Sequence, residues 1–379
     1  MYNNRKKLFI LLIIAALIFS LFTLYISSEA PFSISAKAAA LYIPELEKFI
    51  YTKNPDEKLG MASTTKIMTA LVALEALDEN EILLADKESC GIDGSSLYLR
   101  PGETISAIDL IYALMLQSAN DAACVLANRI AGGIDQFAEL MNKKAKELGL
   151  KNTHFANPHG LDNKDHYTTA HDLAIISAEA MKNTRFQDIV STTKREITIS
   201  ENQKIIVNHN KMLKMFDGCN GVKTGYTQKC GRCLVSSANN NNIPVIAVTL
   251  SAPDDWNDHA KLLNHAYSLL ERRVLCERGS FANEISVIGG KYETVRISAK
   301  NDVTSVVRKD SGEITSSIKL FNDVSAPILK GEALGTVIFT SDGREIARVS
   351  LIAESEIETN NKIGFLSKFR QRRTFKWNQ

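Results

Sequence analysis

A chain of 379 residues with 45% hydrophobic side chains can build a substantial core and exceeds the usual size of a single one, so two folded domains are expected. Charge is nearly balanced, at 45 basic and 43 acidic residues, which removes any global reason to expect nucleic acid as a partner. Six cysteines in such a length are too few for a disulfide scaffold.

Arg5, Lys6 and Lys7 precede a nearly unbroken apolar run from Leu8 to about Ile26, in which Ser20 and Thr23 are the polar interruptions and form no polar face. A basic flank before such a run marks export, so segment 1–30 reads as a signal peptide or an uncleaved membrane anchor; small residues at Ala30 and Ala36 to Ala38 offer cleavage points. From Ala38 to Ile50 two short apolar stretches around Pro44 predict a hairpin. Ser63 to Leu77 carries Ile67, Met68, Ala70, Leu71, Leu74 and Leu77 at the spacing of a core-facing helix. Further helices are predicted near 106–116, 120–131, 133–148 and 169–182, the last capped by Thr169 with Asp172 three residues on.

Strand-like runs follow: Glu196 to Ser200 with Lys204 to Val207, then Gly221 to Gly225, Cys233 to Ala238 and Val245 to Ser251, and an amphipathic helix from about Asp255 to Arg273. This order predicts an α+β fold, an antiparallel sheet flanked by helices, over residues 36–275. Residues 284–355 change texture. Tyr292 to Ile297, Val303 to Val307, Ile314 to Leu320 and Ile346 to Ile352 predict a small all-β domain. The tail, 361–379, mixes Lys362, Lys368, Arg370, Arg372, Arg373 and Lys376 with Phe365, Leu366, Phe369, Phe375 and Trp377, a basic amphipathic segment suited to an anionic bilayer surface.

Three short motifs carry the chemistry: Ser63-Thr64-Thr65-Lys66, Ser118-Ala119-Asn120 and Lys223-Thr224-Gly225. The first opens a helix, which sets Ser63 and Lys66 on one face with the helix dipole aimed at the hydroxyl. A serine hydroxyl needs an adjacent base, and a lysine serves if burial and a positive neighbour depress its pKa. Lys66 is therefore the expected base and Lys223 the neighbour. Lys223 and Thr224 are expected to hold a substrate carboxylate, Ser118 to relay a proton to the leaving amine, and Asn120 to orient Lys66 and donate to the substrate backbone. If Lys223 to Tyr226 is an edge strand, the backbone N–H groups of Ser63 and Tyr226 are placed for an oxyanion. No cofactor or metal is called for, since the lysine and these donors supply what a metal would.

These motifs, with the strings Met61 to Ala70, Gly94 to Leu99, Asn157 to Asp162 and Gly221 to Thr227, resemble the low-molecular-mass penicillin-binding proteins that act as D-alanyl-D-alanine carboxypeptidases. The resemblance implies the penicillin-binding and β-lactamase-like fold, an acyl-enzyme on Ser63, peptidoglycan stem peptides as substrate, β-lactams as covalent inhibitors, and residence on the extracytoplasmic face of a bacterial membrane. Some relatives place an arginine after the last central strand; here that stretch reads Ala252-Pro253-Asp254-Asp255-Trp256-Asn257, and the Tyr226 position is histidine in others. A serine β-lactamase shares the triplets, but no E-x-x-L-N string lies between Ser118 and Lys223, and a DD-endopeptidase is the other variant of the same chemistry. A zinc peptidase is suggested by His154, His159, His166 and His171, yet no H-E-x-x-H occurs and structural histidines are expected. A non-catalytic wall-binding module would not need the intact set of Ser63, Lys66, Ser118, Asn120 and Lys223. The Cys230-x-x-Cys233 pair lacks a second such pair for zinc, and a Cys219–Cys233 disulfide stays open.

Overall fold

A computed structural model describes residues 32–321 and 323–360. The apolar run before Ala30 and the basic tail after Asn360 lie outside the described residues. In chain order the strands are β1 (Ala38–Ile43), β2 (Lys48–Lys53), β3 (Ile82–Leu84), β4 (Thr104–Ser106), β5 (Lys194–Ile199), β6 (Asn202–Val207), β7 (Cys219–Thr227), β8 (Gly231–Asn240), β9 (Ile243–Leu250), β10 (Leu270–Cys276), β11 (Asn283–Ser286), β12 (Thr294–Ala299), β13 (Val303–Arg308), β14 (Thr315–Leu320), β15 (Ala333–Ser341) and β16 (Arg344–Ala353). The helices are α1 (Lys66–Ala76), α2 (Ala107–Leu116), α3 (Asn120–Ala131), α4 (Ile134–Glu147), α5 (Ala170–Ala180), α6 (Thr184–Ser191), the single turn α7 (Met212–Met215) and α8 (Asp255–Leu269).

The central sheet is antiparallel in the order β2-β1-β9-β8-β7. Its middle strands read as nearly continuous apolar runs because both faces are covered. Val235, Ile246 and Val248 pack into the core shared with α1 to α6, while Leu41, Leu234 and Ala247 pack against Leu262, Leu263 and Ala266 of α8. Pairing of β1 with β9 closes the sheet across some two hundred positions of sequence and leaves β7 as the edge strand facing the turn before α1. Helix α1 is buried from Lys66 to Val72 without a polar face, so its lysine sits inside the helical core. The predicted cap holds: Thr169 Oγ1 accepts from Asp172 N at 3.0 Å.

Two boundaries differ from the sequence reading. Residues 62–65 form a 3₁₀ turn rather than the first turn of α1. The helix expected to reach Arg273 stops at Leu269, and Leu270–Cys276 becomes a strand paired with β13. Here tertiary pairing overrides local propensity, since Arg272 donates to Asn242 O and Thr304 Oγ1 and pairs with Glu45, contacts that a helical course would lose. Beyond it, β11-β12-β16-β15-β14 form a second antiparallel sheet with its own core of Val295, Ile297, Val337, Phe339, Val349 and Leu351. Strand β15 escaped the sequence reading because Gly335 interrupts its apolar pattern; in the structure it lies beside Lys319 O, where a side chain would crowd the backbone.

Candidate active site

The turn that presents Ser63 is pinned from within. Thr64 Oγ1 donates to Met61 O at 2.6 Å, and Thr65 Oγ1 to Ala62 O at 2.7 Å. Lys66, fully buried at the first position of α1, brings its Nζ within 3.0 Å of Ser63 Oγ, 2.7 Å of Asn120 Oδ1 and 2.5 Å of His159 O. A neutral amine has two N–H bonds and one lone pair. With Asn120 Oδ1 and His159 O able to accept the two N–H groups, the lone pair is left for the Ser63 hydroxyl, which can then donate to Lys66. Burial, and secondly the charge of Lys223, hold the Lys66 ammonium well below the usual lysine range.

Asn120 opens α3 and is fixed on both sides: Nδ2 donates to Asp93 O at 2.5 Å, and its backbone N donates to Ser95 O at 2.7 Å. One amide hydrogen is thus committed to Asp93 and the other is free for a substrate carbonyl. Ser118 joins α2 to α3 in the left-handed region (φ 62°), is 5% exposed, and its Oγ has no hydrogen-bond partner among the described residues. Lys223, 1% exposed on β7, donates from Nζ to Thr224 O at 3.1 Å, and burial pushes its pKa down to about 7. Gly225 faces the serine turn: a Cβ there would stand 3.1 Å from Ser63 N and 3.0 Å from Met61 O. The absent side chain lets the edge strand bring its backbone against the Ser63 amide. Tyr226 is exposed.

The strings Asn157 to Asp162 and Gly94 to Leu99 belong to the resemblance, but what they contribute was not legible from their side chains. The loop Asn157 to Leu161 delivers a carbonyl, not a side chain, to Lys66, and Pro158 O takes the Thr69 hydroxyl at 2.6 Å. Asn157 shapes this loop by accepting from Gly160 N at 2.7 Å and donating to Leu161 O at 3.0 Å. Gly160 has φ 90°, and a Cβ there would lie 2.0 Å from Ala62 O. Buried Asp121 accepts from Leu97 N and Leu99 N, both at 3.0 Å, and ties the Gly94 to Leu99 string to α3. The signal in each case was a short polar residue beside a glycine-rich or strand-free string, which marks a turn but not its partner.

His166 and His159 are tied into the loops around the catalytic turn. His166 Nδ1 accepts from Ala156 N at 3.0 Å, so its proton sits on Nε2 and is donated to Thr65 Oγ1 at 2.7 Å. Burial pushes His166 down to about 4 and His159 down to about 3, so both are neutral near pH 7. All six cysteines are free, and the Cys219–Cys233 pairing is not made: Cys219 Sγ donates to Gly221 O, and buried Cys233 has its thiol pushed up to about 12. The 252–257 stretch holds no arginine, and Arg232, in register beside Tyr226, is engaged by Asp255 of that stretch at 2.9 Å and lies over Trp256.

Comparison with known proteins agrees with this arrangement. Residues 25–254 match the protein family described as D-alanyl-D-alanine carboxypeptidase, and residues 271–359 match the one described as penicillin-binding protein 5, C-terminal domain. The chain is 35% identical over 344 residues to D-alanyl-D-alanine carboxypeptidase DacF of Bacillus subtilis, covering 88% of each chain. It is 31% identical over 366 residues to D-alanyl-D-alanine carboxypeptidase DacC of Escherichia coli, covering 92% of this chain and 90% of the relative. The crystal structure of penicillin binding protein 5 from Haemophilus influenzae superposes with a TM-score of 0.67 at 29% identity, over 86% of this chain and 99% of that one.

Proposed function

Because the chain belongs to the D-alanyl-D-alanine carboxypeptidase family and is a D-Ala-D-Ala carboxypeptidase of its penicillin-binding class, we propose that it works as a serine enzyme through Ser63, with Lys66 as base. The observation that carries this reading is the disposition of Lys66 Nζ, whose two N–H acceptors leave a lone pair for the serine proton. Ser63 Oγ attacks the carbonyl of the penultimate D-alanine as Lys66 takes its proton. The N–H groups of Ser63 and Tyr226 receive the oxyanion, a contribution of about 10²- to 10³-fold per donor in comparable sites. Lys66 returns the proton through Ser118 Oγ to the leaving amine of the terminal D-alanine, and water then frees the acyl-enzyme with Lys66 again as base. Lys223 and the Thr224 hydroxyl bind the terminal carboxylate, while Asn120 and the Tyr226 backbone align the peptide. The test is release of free D-alanine from a peptidoglycan pentapeptide together with stable labelling by a fluorescent penicillin; cross-bridge cleavage without D-alanine release would replace carboxypeptidase by endopeptidase action.

The depressed pKa of Lys223 gives this reading a pH signature. Only the ammonium form attracts a carboxylate, and carboxylate binding in turn favours that form, so the substrate raises the Lys223 pKa and binding takes up a proton above about pH 7. KM for a peptide ending in a free carboxylate is expected to rise as pH climbs through this range, while a substrate amidated at that carboxylate shows no such alkaline limb. On the acid side, protonation of Lys66 removes the base and lowers the acylation rate. A KM for the carboxylate substrate that stays flat across neutrality into the alkaline range would remove Lys223 from the role.

For the rest of the chain the proposed division is a catalytic domain over 36–275, a β domain over 284–355, an export segment over 1–30 and a membrane-attaching tail over 361–379, which together place the enzyme on the outer face of the cell membrane. Support for the tail comes from the surface of the β domain it follows: Asn360 N donates to Gly289 O, beside the exposed apolar side chains of Ile288 and Tyr292, which suit the same bilayer surface. Ending the chain at Asn360, in protein lacking segment 1–30, is expected to shift it from the membrane to the soluble fraction on sedimentation. Continued sedimentation with membranes would assign attachment elsewhere.

A further inference from the structure

A pocket of 380 Å³ adjoins the catalytic turn, with Lys58, Gly60, Asp162, Lys164, Lys229 and Cys230 among its walls. It is built into the site rather than merely near it. Gly60 leads directly into the Ser63 turn, and Thr227, next to Tyr226, donates to Asp162 Oδ1 at 2.9 Å. The Cys230 thiol donates to the same oxygen at 3.1 Å, which fixes the one carboxylate among these walls in place without cancelling its charge. Of the three ammonium groups, Lys164 is loosely paired with Asp165 at 4.0 Å and Lys58 lies 4.9 Å over the Tyr167 ring. Neither Lys58 nor Lys229 enters an ion pair among the described residues. With three ammonium groups against one carboxylate, this concave surface keeps a net positive charge.

Its position relative to the substrate follows from the function proposed above, on which this inference rests. With the terminal carboxylate at Lys223 and Thr224 and the reacting carbonyl at the Tyr226 amide, the substrate leaves the site along β7 from residue 223 toward 226. Beyond Tyr226 the strand runs to Thr227 and then to the turn that carries Lys229 and Cys230. An extended peptide advances about 3.3 Å per residue, so the one or two residues preceding the acylating D-alanine reach the pocket. We propose that this pocket is a subsite for a carboxylate on those residues, which makes the enzyme selective for stem peptides that are acidic before the D-alanines. A third residue ending in a bare ammonium meets like charge there, whereas one carrying a carboxylate is attracted.

Matched pentapeptides test this: L-Ala-γ-D-Glu-X-D-Ala-D-Ala with X either meso-diaminopimelate or L-lysine, and each again with the D-Glu α-carboxylate amidated. For exposed, screened charges the expected preference in kcat/KM is about fivefold for the carboxylate-bearing partner of a pair. The preference should collapse in a K58Q/K164Q/K229Q protein and shrink with added salt. Sensitivity to X places the third-residue carboxylate in the pocket; sensitivity to amidation places the second-residue one; either supports the subsite. Equal rates on all four peptides, or a preference that survives the triple substitution, would overturn it. Penicillin carries no stem peptide, so its rate of labelling should be the same in the triple variant, and loss of labelling there would assign the lysines to shaping the catalytic turn and overturn the subsite. Absence of D-alanine release from every peptide by the unaltered enzyme would instead bring down the carboxypeptidase reading itself.

Discussion

With Ser63 replaced by alanine, D-alanine release and covalent labelling by a fluorescent penicillin are both expected to vanish, and Lys66→Gln is expected to slow labelling by about 10³-fold. The pair separates nucleophile from base. Alanine removes the atom that forms the acyl bond, while the turn that carries it is held by Thr64 and Thr65, whose hydroxyls bond to Met61 O and Ala62 O and not to Ser63. Glutamine retains N–H donors for Asn120 Oδ1 and His159 O and introduces no charge into a fully buried position, but it has no basic lone pair at the end of the side chain. A time course of labelling, read beside a melting curve, decides the matter. Labelling of Lys66→Gln at the rate of the unaltered protein would mean that another group takes the serine proton, and labelling of Ser63→Ala would move the nucleophile elsewhere.

Gly160→Ala, a change of one methyl group in a loop distant in sequence from the three motifs, is expected to cost about 3 kcal/mol of stability and to depress acylation as well. Two effects combine. The backbone there is left-handed (φ 90°), and the added Cβ would fall 2.0 Å from Ala62 O, a backbone atom that cannot rotate aside. Relief requires the Ser63 turn and the loop to separate, which pulls His159 O from Lys66 and loosens the bond from Thr65 Oγ1 to Ala62 O. Gly132→Ala is the control. It shares a positive φ (79°) but has open space around its Cβ, so only the backbone cost of about 1 to 2 kcal/mol is expected, with labelling unchanged. Unfolding midpoints and labelling rates of the two variants, measured together, give the comparison; equal behaviour would show that contact with Ala62 has no part in shaping the site.

The helices at 107–116, 120–131 and 170–180 were legible although each is buried on nearly every side, because their apolar runs exceed the length of a strand and Thr169 with Asp172 marks the start of the last. The basic motifs were legible because side-chain chemistry was the signal. Ser63 and Lys66 sit three apart at the head of a helix, and that local relation alone places a hydroxyl beside an amine. What escaped was supplied by backbone atoms or chosen by distant partners. A carbonyl such as His159 O has no residue signature, and the aspartate that ties Leu97 and Leu99 to α3 looked like any other polar residue in a helix. Leu270–Cys276 has no strong preference of its own, and β13 decides that it is a strand.

By itself, then, the amino-acid order pointed to Ser63 as the proposed nucleophile with Lys66 as its neighbour, a relation within one turn of chain, and to the all-β character of the second domain, through alternating apolar residues between turn residues. Tertiary structure decided the rest. Pairing β1 with β9 leaves β7 as a free edge, Gly225 lets that edge reach the Ser63 amide, and burial of both lysines drives their pKa values down. Proton affinity is set by the solvent a side chain loses and the charges it meets, and those are fixed only when segments far apart in the chain come together.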